Sequence, residues 1–256
     1  MARYAVISDI HGNLHAFEAV LRHMGTLAVD EAVCLGDVVG YGPQPGECLD
    51  LVIRYCSYVV RGNHDEAAVD PYCAAAFNGA AREAIYWTRT HLGALHLNAL
   101  NELPYTARFG PNERILCVHA SPYEGPTDYV HDKRVAALAF RGVDRHVCMV
   151  GHTHMPMVYE APDGQVDREL TAPEITAYIP SHELPIVLHP DRRYILNPGS
   201  IGQPRDCDPR ASYAVLDTDA WTFTVHRVDY DIAAAQAATQ AAGLPTILAD
   251  RLAVGA

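Results

Sequence analysis

Short apolar segments that end in polar clusters dominate the start of the chain, and they constrain its fold more than any other feature. Residues 3–8, 31–35 and 57–60 are apolar and β-prone, and polar clusters rich in aspartate, asparagine and histidine follow them. Apolar residues recur at helical spacing in the intervals between them. Strands that alternate with helices are typical of a parallel α/β sheet, which binds ligands at the C-terminal ends of its strands. Periodicity alone therefore predicts an ordinary doubly wound sheet.

The remaining chain adds further strands and one long helical stretch. Residues 65–103 are predicted to be mostly helical and to form a cap beside the site. Two later apolar strands end at His119 and at Gly151, whereas residues 161–193 are polar and rich in proline, which favours hairpins and loops. Neither a repeat nor a clear linker interrupts the sequence, so we predict one domain over residues 1–256, with the helical cap inside it.

Composition restricts the partners of the chain. The formal net charge of -12 argues against duplex nucleic acid, whose binding needs clustered lysine and arginine. No apolar run is long enough to span a bilayer, and no signal-peptide pattern precedes the first strand, so no membrane association is expected. The seven cysteines form no CxxC pair, which favours reduced thiols and a cytoplasmic location. The sequence leaves open whether the chain forms a homo-oligomer.

Metal-binding residue types fill the polar clusters. Five clusters follow predicted strands: Asp9-Ile10-His11, Gly36-Asp37, Gly62-Asn63-His64-Asp65, His119 and Gly151-His152-Thr153-His154. Carboxylate together with imidazole suits Mn, Fe, Zn or Ni. Residues two apart in an extended segment point the same way, so Asp9 and His11 can reach one ion. The same spacing separates His152 from His154, although a turn could send these two to different ions. A lone aspartate could simply cap a helix, but the clusters together predict a metal site.

These motifs, in this order, resemble those of a known family. DIHGN at Asp9, GDVVGYGP at Gly36, GNHD at Gly62, the histidine after the apolar strand and GHTH at Gly151 are similar to the calcineurin-like metallophosphoesterase superfamily. NPGSIGQPR, from residue 197, resembles the compact prokaryotic phosphodiesterase and phosphatase branch. The resemblance implies an α/β (α+β) fold, a four-layer β-sandwich of two mixed sheets flanked by helices, with the helical cap region beside it.

The resemblance also implies a ligand set for two divalent metal ions per chain. Asp37 would bridge the two ions. One ion would be held by Asp9, His11 and His154, and the other by Asn63, His119 and His152. Manganese is the expected metal, and iron, zinc and nickel are the alternatives.

The implied reaction is hydrolysis of a phosphate ester by a hydroxide that bridges the two metals. Asp37 suits the bridge because a carboxylate offers anionic oxygens to both ions, and Asn63 would also contact the substrate. His64 would donate a proton to the leaving group, and the alternative is an orienting hydrogen bond without proton transfer.

Four further residues have an open role at this stage. Arg205 is predicted to contact phosphate, with an ion pair to a nearby aspartate, Asp206 or Asp208, as the alternative. The role of Arg210 is undetermined. Tyr41 either borders the substrate or packs within its turn, and Asn13 either caps a helix or orients a ligand.

The expected substrate is a small phosphomonoester or phosphodiester. A nucleotide ester is one candidate, because aromatic residues of the cap could pack against a nucleoside; ordinary cap packing is the alternative for Tyr72, Phe77, Tyr86 and Trp87. Other functions to weigh are a phosphoprotein phosphatase, a dinucleoside-polyphosphate hydrolase and a non-catalytic, metal-dependent scaffold. Asp65 disfavours the first, because eukaryotic Ser/Thr phosphatases of the family carry glutamate there.

Overall fold

The computed structural model of the protein describes residues 2–123, 128–163 and 169–256. The strands, numbered in chain order, are β1 (Arg3–Ile7), β2 (Glu31–Cys34), β3 (Cys56–Val59), β4 (Thr106–Phe109), β5 (Ile115–Val118), β6 (Val147–Met149), β7 (Pro156–Pro162), β8 (Thr176–Tyr178), β9 (Ile186–Val187), β10 (Arg192–Pro198), β11 (Ala211–Asp217) and β12 (Thr222–Val228). The α-helices are α1 (Leu14–Met24), α2 (Pro45–Tyr55), α3 (Asn63–Val69), α4 (Gly79–His91), α5 (Ala94–Glu102), α6 (Lys133–Ala139), α7 (Ile232–Ala241) and α8 (Thr246–Asp250). Short 3-10 helices lie at Pro71–Ala76, Pro111–Glu113, Phe140–Gly142, Ala172–Glu174 and Arg251–Ala253.

The strands form two mixed sheets of six strands each, in the orders β3-β2-β1-β11-β12-β9 and β4-β5-β6-β10-β7-β8. In the first sheet β1, β2 and β3 are parallel, and β11 pairs antiparallel with β1. In the second sheet β5, β6 and β10 are parallel, while β4 and β7 flank them antiparallel. The expected sandwich of two mixed sheets is confirmed. The single doubly wound sheet that periodicity predicts is wrong, because the later strands build a second sheet and extend the first one antiparallel.

An apolar core joins the facing sides of the two sheets. Val6 and Val33 of the first sheet pack in one cluster with residues of the second sheet, among them Ile115, Val147 and Leu196. All five side chains are buried. Burial of apolar area against the opposite sheet is the main force that holds such layers together.

Helices cover the outer faces. Phe17 of α1 and Leu49 of α2 pack on Ile7 of the first sheet. On the second sheet, Ala136 of α6 packs with Ile195. No helix in the described part of the chain has the length and apolar character needed to cross a bilayer.

Local sequence signals account for several element boundaries. Asn13 caps α1, as one of its two expected roles, because its Oδ1 accepts a hydrogen bond from the backbone N–H of Ala16 at 3.1 Å. Sequence reasoning misses strand β7, because proline stands at both of its ends and its last residues fall in the stretch 161–193, for which the sequence predicts hairpins and loops. Residues 164–168 of that predicted loop region lie outside the described residues.

The cap region is mostly helical, as predicted, and it is tied to the C-terminal helices. Trp87 of α4 donates its indole N–H to the carbonyl of Ala242, just after α7, at 3.0 Å. Phe77, between the 3-10 helix and α4, packs against a cluster that contains Tyr41 and Leu248. The cap therefore joins the loop after β2 to the end of the chain.

Candidate metal centre

The predicted ligand residues leave their strands in an unusual backbone conformation. Side-chain-bearing residues rarely adopt positive φ, and such conformations cluster at functional sites. Five residues of the predicted centre do so: Asp9 (53°), His11 (51°), Asp37 (52°), His152 (66°) and His154 (61°). The chain thus turns sharply at each strand end, so that consecutive polar side chains face a common point.

The structure brings these side chains into adjoining groups. Ligand atoms within 4.8 Å of one another define three groups of buried residues: Asp9 with His11 and His154, Asp37 with His119 and His152, and His11 with Asp37 and His64. The Nε2 atoms of His11 and His154 are 3.1 Å apart. Asp37 Oδ2 lies 3.1 Å from His119 Nε2 and 3.7 Å from His11 Nε2. Asp37 therefore belongs to two of the groups, and His11 connects these to the third.

Backbone carbonyls orient three of the imidazoles. Nδ1 of His11 lies 3.1 Å from the carbonyl of Val39, and Nδ1 of His119 lies 2.7 Å from that of Leu35. His154 makes the same contact with Gln203 at 2.6 Å. An N–H at Nδ1 leaves Nε2 with a free lone pair, which is the arrangement that metal-binding histidines adopt.

These residues fit divalent cations. With Nδ1 as the donor, the facing Nε2 atoms of His11 and His154 are both acceptors at 3.1 Å, a repulsive contact unless a cation or a proton lies between them. Oδ1 of Asn63 is buried and has no hydrogen-bond partner. Buried polar atoms rarely lack a partner, so this atom points to an ion.

Electrostatics within the centre favour the metal-binding forms of Asp37, His11 and His154, and a proton on His119. Burial opposes charge on Asp37, but His119 and His64 outweigh it and hold the pKa of Asp37 well below its usual range. Burial likewise works against a charged His119, yet Asp37 raises the pKa of His119 to about 10. Burial lowers the pKa of His11 and of His154 well below the usual value. Asp37 is thus anionic and these two rings are neutral at pH 7, and a cation would replace the proton on His119.

Asp65 supports the loop that carries Asp37, a role that sequence reasoning missed. Its carboxylate accepts four backbone hydrogen bonds, from Asp37 (2.8 Å), Val38 (2.9 Å), Val39 (3.2 Å) and Gly62 (3.0 Å). Burial, reinforced by Asp37, raises the pKa of Asp65 to about 7. The available signal was its position three residues after the N-cap glycine of α3, where a carboxylate can bond back to the backbone.

The end of β10 and the segment after it support the other side of the centre. Asn197 donates from Nδ2 to the carbonyl of Gly151 at 2.7 Å, and Ser200 donates from Oγ to the carbonyl of Asp9 at 2.8 Å. The backbone N–H of Arg205 donates to the carbonyl of His154 at 3.3 Å. This segment therefore links loops that follow strands of both sheets.

His64 occupies an enclosed position beside the ligand residues. It is 5% exposed, and its ring lies between those of Tyr41 and Phe77, at centroid distances of 4.5 and 4.6 Å. Burial lowers the pKa of His64 to about 4. Tyr41 also packs on the ring of His11, at 4.6 Å, so this tyrosine is part of the wall of the centre.

The arginines after residue 200 separate into two kinds. Arg205 donates from Nη2 to the hydroxyl of Tyr41 at 3.3 Å and to Oε1 of Gln203 at 3.1 Å. The alternative ion pair of Arg205 is wrong, because the two aspartates pair elsewhere, Asp206 with Arg227 and Asp208 with Arg210. Arg210 is therefore engaged in a salt bridge, while Arg205 faces the centre.

A two-sheet sandwich with clustered aspartate and histidine at its strand ends is the architecture of metal-dependent phosphoesterases. Residues 3–220 match the Calcineurin-like phosphoesterase superfamily domain, and the chain belongs to that family. It is a metal-dependent phosphoesterase, a hydrolase.

Three relatives illustrate the similarity. A metallophosphoesterase from Sphaerobacter thermophilus is 42% identical, with a TM-score of 0.85 over 100% of this chain and 99% of that one. An uncharacterised protein of Methanocaldococcus jannaschii is 34% identical over 259 residues, which cover 98% of this chain and 97% of the relative. A hypothetical protein from Pyrococcus horikoshii, 20% identical, shares the fold with a TM-score of 0.78 over 100% of this chain and 99% of its own.

Proposed function

We propose that the protein is a dinuclear phosphoesterase that hydrolyses a small phosphomonoester or phosphodiester. One observation carries this proposal. The same oxygen of Asp37, Oδ2, lies 3.7 Å from Nε2 of His11 in one ligand group and 3.1 Å from Nε2 of His119 in the other. A carboxylate so placed can serve two cations at once, and two cations close together define the two-metal phosphoesterases.

The ligand assignment follows from the groups. Asp37 would bridge, and the partnerless Oδ1 of Asn63 supports its place in the second set. The first set is Asp9, His11 and His154, and the second is Asn63, His119 and His152. Manganese is the metal we propose, with iron, zinc and nickel as alternatives, because all of them accept mixed oxygen and nitrogen ligands.

Two bound divalent cations would supply an activated water and neutralise the phosphate oxygens. His64 would hold the proton for the leaving oxygen. Its buried Nδ1 has no hydrogen-bond partner, and the negative charge of a bound phosphate would raise a pKa that burial has lowered. Asn63 would contact the substrate, and Arg205, whose Nε is also buried without a partner, would contact its phosphate.

We further propose that residues 1–256 act as one domain with the cap inside it, since both sheets share a core and supply one site. The seven cysteines are free thiols, which supports a cytoplasmic location. The net charge of -12 supports a small substrate over duplex nucleic acid.

A metal and substrate screen tests the proposal. Protein loaded with Mn, Fe, Ni or Zn is assayed with p-nitrophenyl phosphate and bis-p-nitrophenyl phosphate, and its metal content is measured by elemental analysis. We expect two metals per chain and turnover of at least one ester. One metal per active chain would contradict the dinuclear centre. No turnover with any metal would favour the scaffold instead.

A further inference from the structure

A cavity of about 410 Å³ lies beside the candidate centre. This volume is within the range of roughly 300–1,000 Å³ that small-molecule sites occupy. Its walls include three aromatic rings and three residues of the centre: Tyr41, Phe77, Tyr129, Asn63, His64 and His152. A group attached to a phosphorus atom at the centre would therefore enter this cavity.

The aromatic rings of the cavity come from separate elements and face the histidines of the centre. Phe77, from the cap, lies on the ring of His64 with centroids 4.6 Å apart and planes 34° apart. Tyr129, from the stretch between β5 and α6, stacks on His152 at 4.0 Å and 27°. Tyr129 is 46% exposed, so much of its surface remains accessible to a ligand.

Of the four cap aromatics named from the sequence, Phe77 alone lines this cavity. Tyr72 is 88% exposed and Tyr86 is 50% exposed. Trp87 stacks on His91 with centroids 3.7 Å apart. The cap therefore supplies one ring to the cavity, and the other two rings come from outside the cap.

The cavity has both polar and apolar walls, but no cationic side chain of lysine or arginine is among the described residues that line it. Asn78, another wall residue, caps α4 by accepting a hydrogen bond at Oδ1 from Ala81 at 2.9 Å, which leaves its NH₂ group as a donor. Such walls can hold an uncharged polar group, but they offer nothing to neutralise a second phosphate.

We propose that this cavity receives the leaving group of the ester and selects an uncharged, planar aromatic group of nucleoside size. Aromatic faces stack on nucleobases regardless of base identity, and the Asn78 amide can bond to a ring edge or a ribose hydroxyl. The inference rests on the proposed phosphoesterase function. It disfavours dinucleoside polyphosphates, whose additional phosphates would meet no cation in the cavity.

The test is the ratio of kcat/KM for a nucleoside ester to kcat/KM for an ester without a ring. Adenosine 5′-monophosphate and glycerol 3-phosphate both have a primary alkyl leaving oxygen, so they differ mainly in the ring; their methyl diesters extend the pair to diesterase activity. We expect the parent to favour the nucleoside ester at least tenfold in kcat/KM. Phe77→Leu and Tyr129→Leu retain apolar bulk without the aromatic face, and each should lower this ratio roughly 5-fold or more.

If these variants disturb His64 or His152, activity towards both substrates falls equally. The ratio of the two kcat/KM values is then unchanged. Tyr72→Leu is the matched control, because this tyrosine belongs to the same cap but lies outside the cavity; its ratio should equal that of the parent. A parent ratio below twofold, or a ratio that neither cavity variant changes, would overturn the proposal.

Binding supplies a readout that needs no turnover. Adenosine, which carries no phosphate, should bind to the metal-loaded protein in isothermal titration calorimetry, more weakly in both cavity variants and equally in Tyr72→Leu, while glycerol should not bind. If no ester were hydrolysed with any metal, the proposed function would fail and adenosine binding would decide the role of the cavity alone. Absence of adenosine binding to the parent would refute the proposed selectivity.

Discussion

The two sheets contribute chemically different halves of the candidate centre. Both carboxylates, Asp9 and Asp37, follow strands of the first sheet, whereas the second sheet contributes imidazoles alone to the proposed ligand set. Asp37 and His119 meet across the sandwich at 3.1 Å, and their mutual pKa shifts show a strong attraction between the halves. The carboxylate of Asp37 on the first half and the protonated ring of His119 on the second are therefore complementary.

The halves also differ in how they are supported. The Asp37 loop is held by Asp65, which belongs to the same sheet region and bonds to four backbone N–H groups. The loops that carry Asp9 and His154 are held by the segment after β10, which crosses between the sheets. The local support concentrates four bonds in one carboxylate, while the crossing segment distributes its bonds over several residues. Substitutions can test whether this difference matters.

Asp37→Ala should have the largest effect, because it removes the carboxylate that we propose as the bridge between the two metals. We expect it to lose most of both metals and nearly all turnover, which elemental analysis and the nitrophenyl assays would show. Asp50→Ala is the control, since that carboxylate is exposed on α2 and pairs with His96. Two metals per chain, bound as tightly as in the parent, would show that Asp37 does not join the halves.

His64→Gln separates catalysis from metal binding within the first half. His64 is outside the proposed ligand set, so the variant should keep its metals and lose roughly 10²–10⁴ in turnover of phenyl phosphate. The loss should be smaller for p-nitrophenyl phosphate, whose leaving group needs no proton. An equal loss for both esters would indicate that His64 positions the substrate instead. His96→Gln, which changes an imidazole at an exposed ion pair, is the matched control.

Asp65→Asn tests the local support of the first half. Each carboxylate oxygen accepts two backbone N–H groups, and an asparagine NH₂ would face two of these donors. Each buried donor left unpaired costs about 1–3 kcal/mol of unfolding free energy. Supports of this kind affect metal affinity by about 10–100-fold, so chelator competition should reveal a loss in that range.

The control for this substitution is Asp70→Asn. Asp70 accepts a single backbone bond, from Tyr72 at 3.1 Å, and asparagine can keep that bond. We expect parental metal affinity from Asp70→Asn. Parental affinity from Asp65→Asn as well would mean that the Asp37 loop holds its shape without this carboxylate.

Local signals made strands β1 to β3, and the polar clusters that follow them, predictable from sequence. Strands β1 to β3 lie where their apolar runs predict, and the structure places the polar residues after them together. The sheet assignment was not predictable from periodicity, because pairs such as Arg3 with Asp217 join residues far apart in the chain. Strand pairing of this kind depends on tertiary contacts that no local window contains.

The residues that hold the ligand loops in place were also not predictable from sequence. In the sequence Asp65 is one more polar residue of its cluster, and no pattern near Ser200 indicates that its hydroxyl bonds to the backbone of Asp9. The partners of Arg205 were not predictable for the same reason. Asp208 pairs with Arg210 and Asp206 pairs with the distant Arg227, so Arg205 donates to Tyr41 instead.

Ser200→Ala should have the smallest effect on the centre and so sharpens the contrast between the two supports. It removes the bond from Ser200 Oγ to the carbonyl of Asp9 (2.8 Å) and leaves the N–H of Gln203 without its acceptor, which should lower the unfolding free energy by about 1–3 kcal/mol in urea denaturation. The Asp9 carbonyl keeps its second bond, from the N–H of Gly202 at 2.9 Å, so we expect a loss of metal affinity smaller than that of Asp65→Asn. Ser212→Ala is the matched control, because its buried hydroxyl donates to the carbonyl of Pro198 at 2.7 Å in the same region but bonds to no ligand residue; it should lower stability without changing metal affinity. If Ser200→Ala weakened metal binding as much as Asp65→Asn, the crossing segment would hold its half of the centre as firmly as the local carboxylate holds the other.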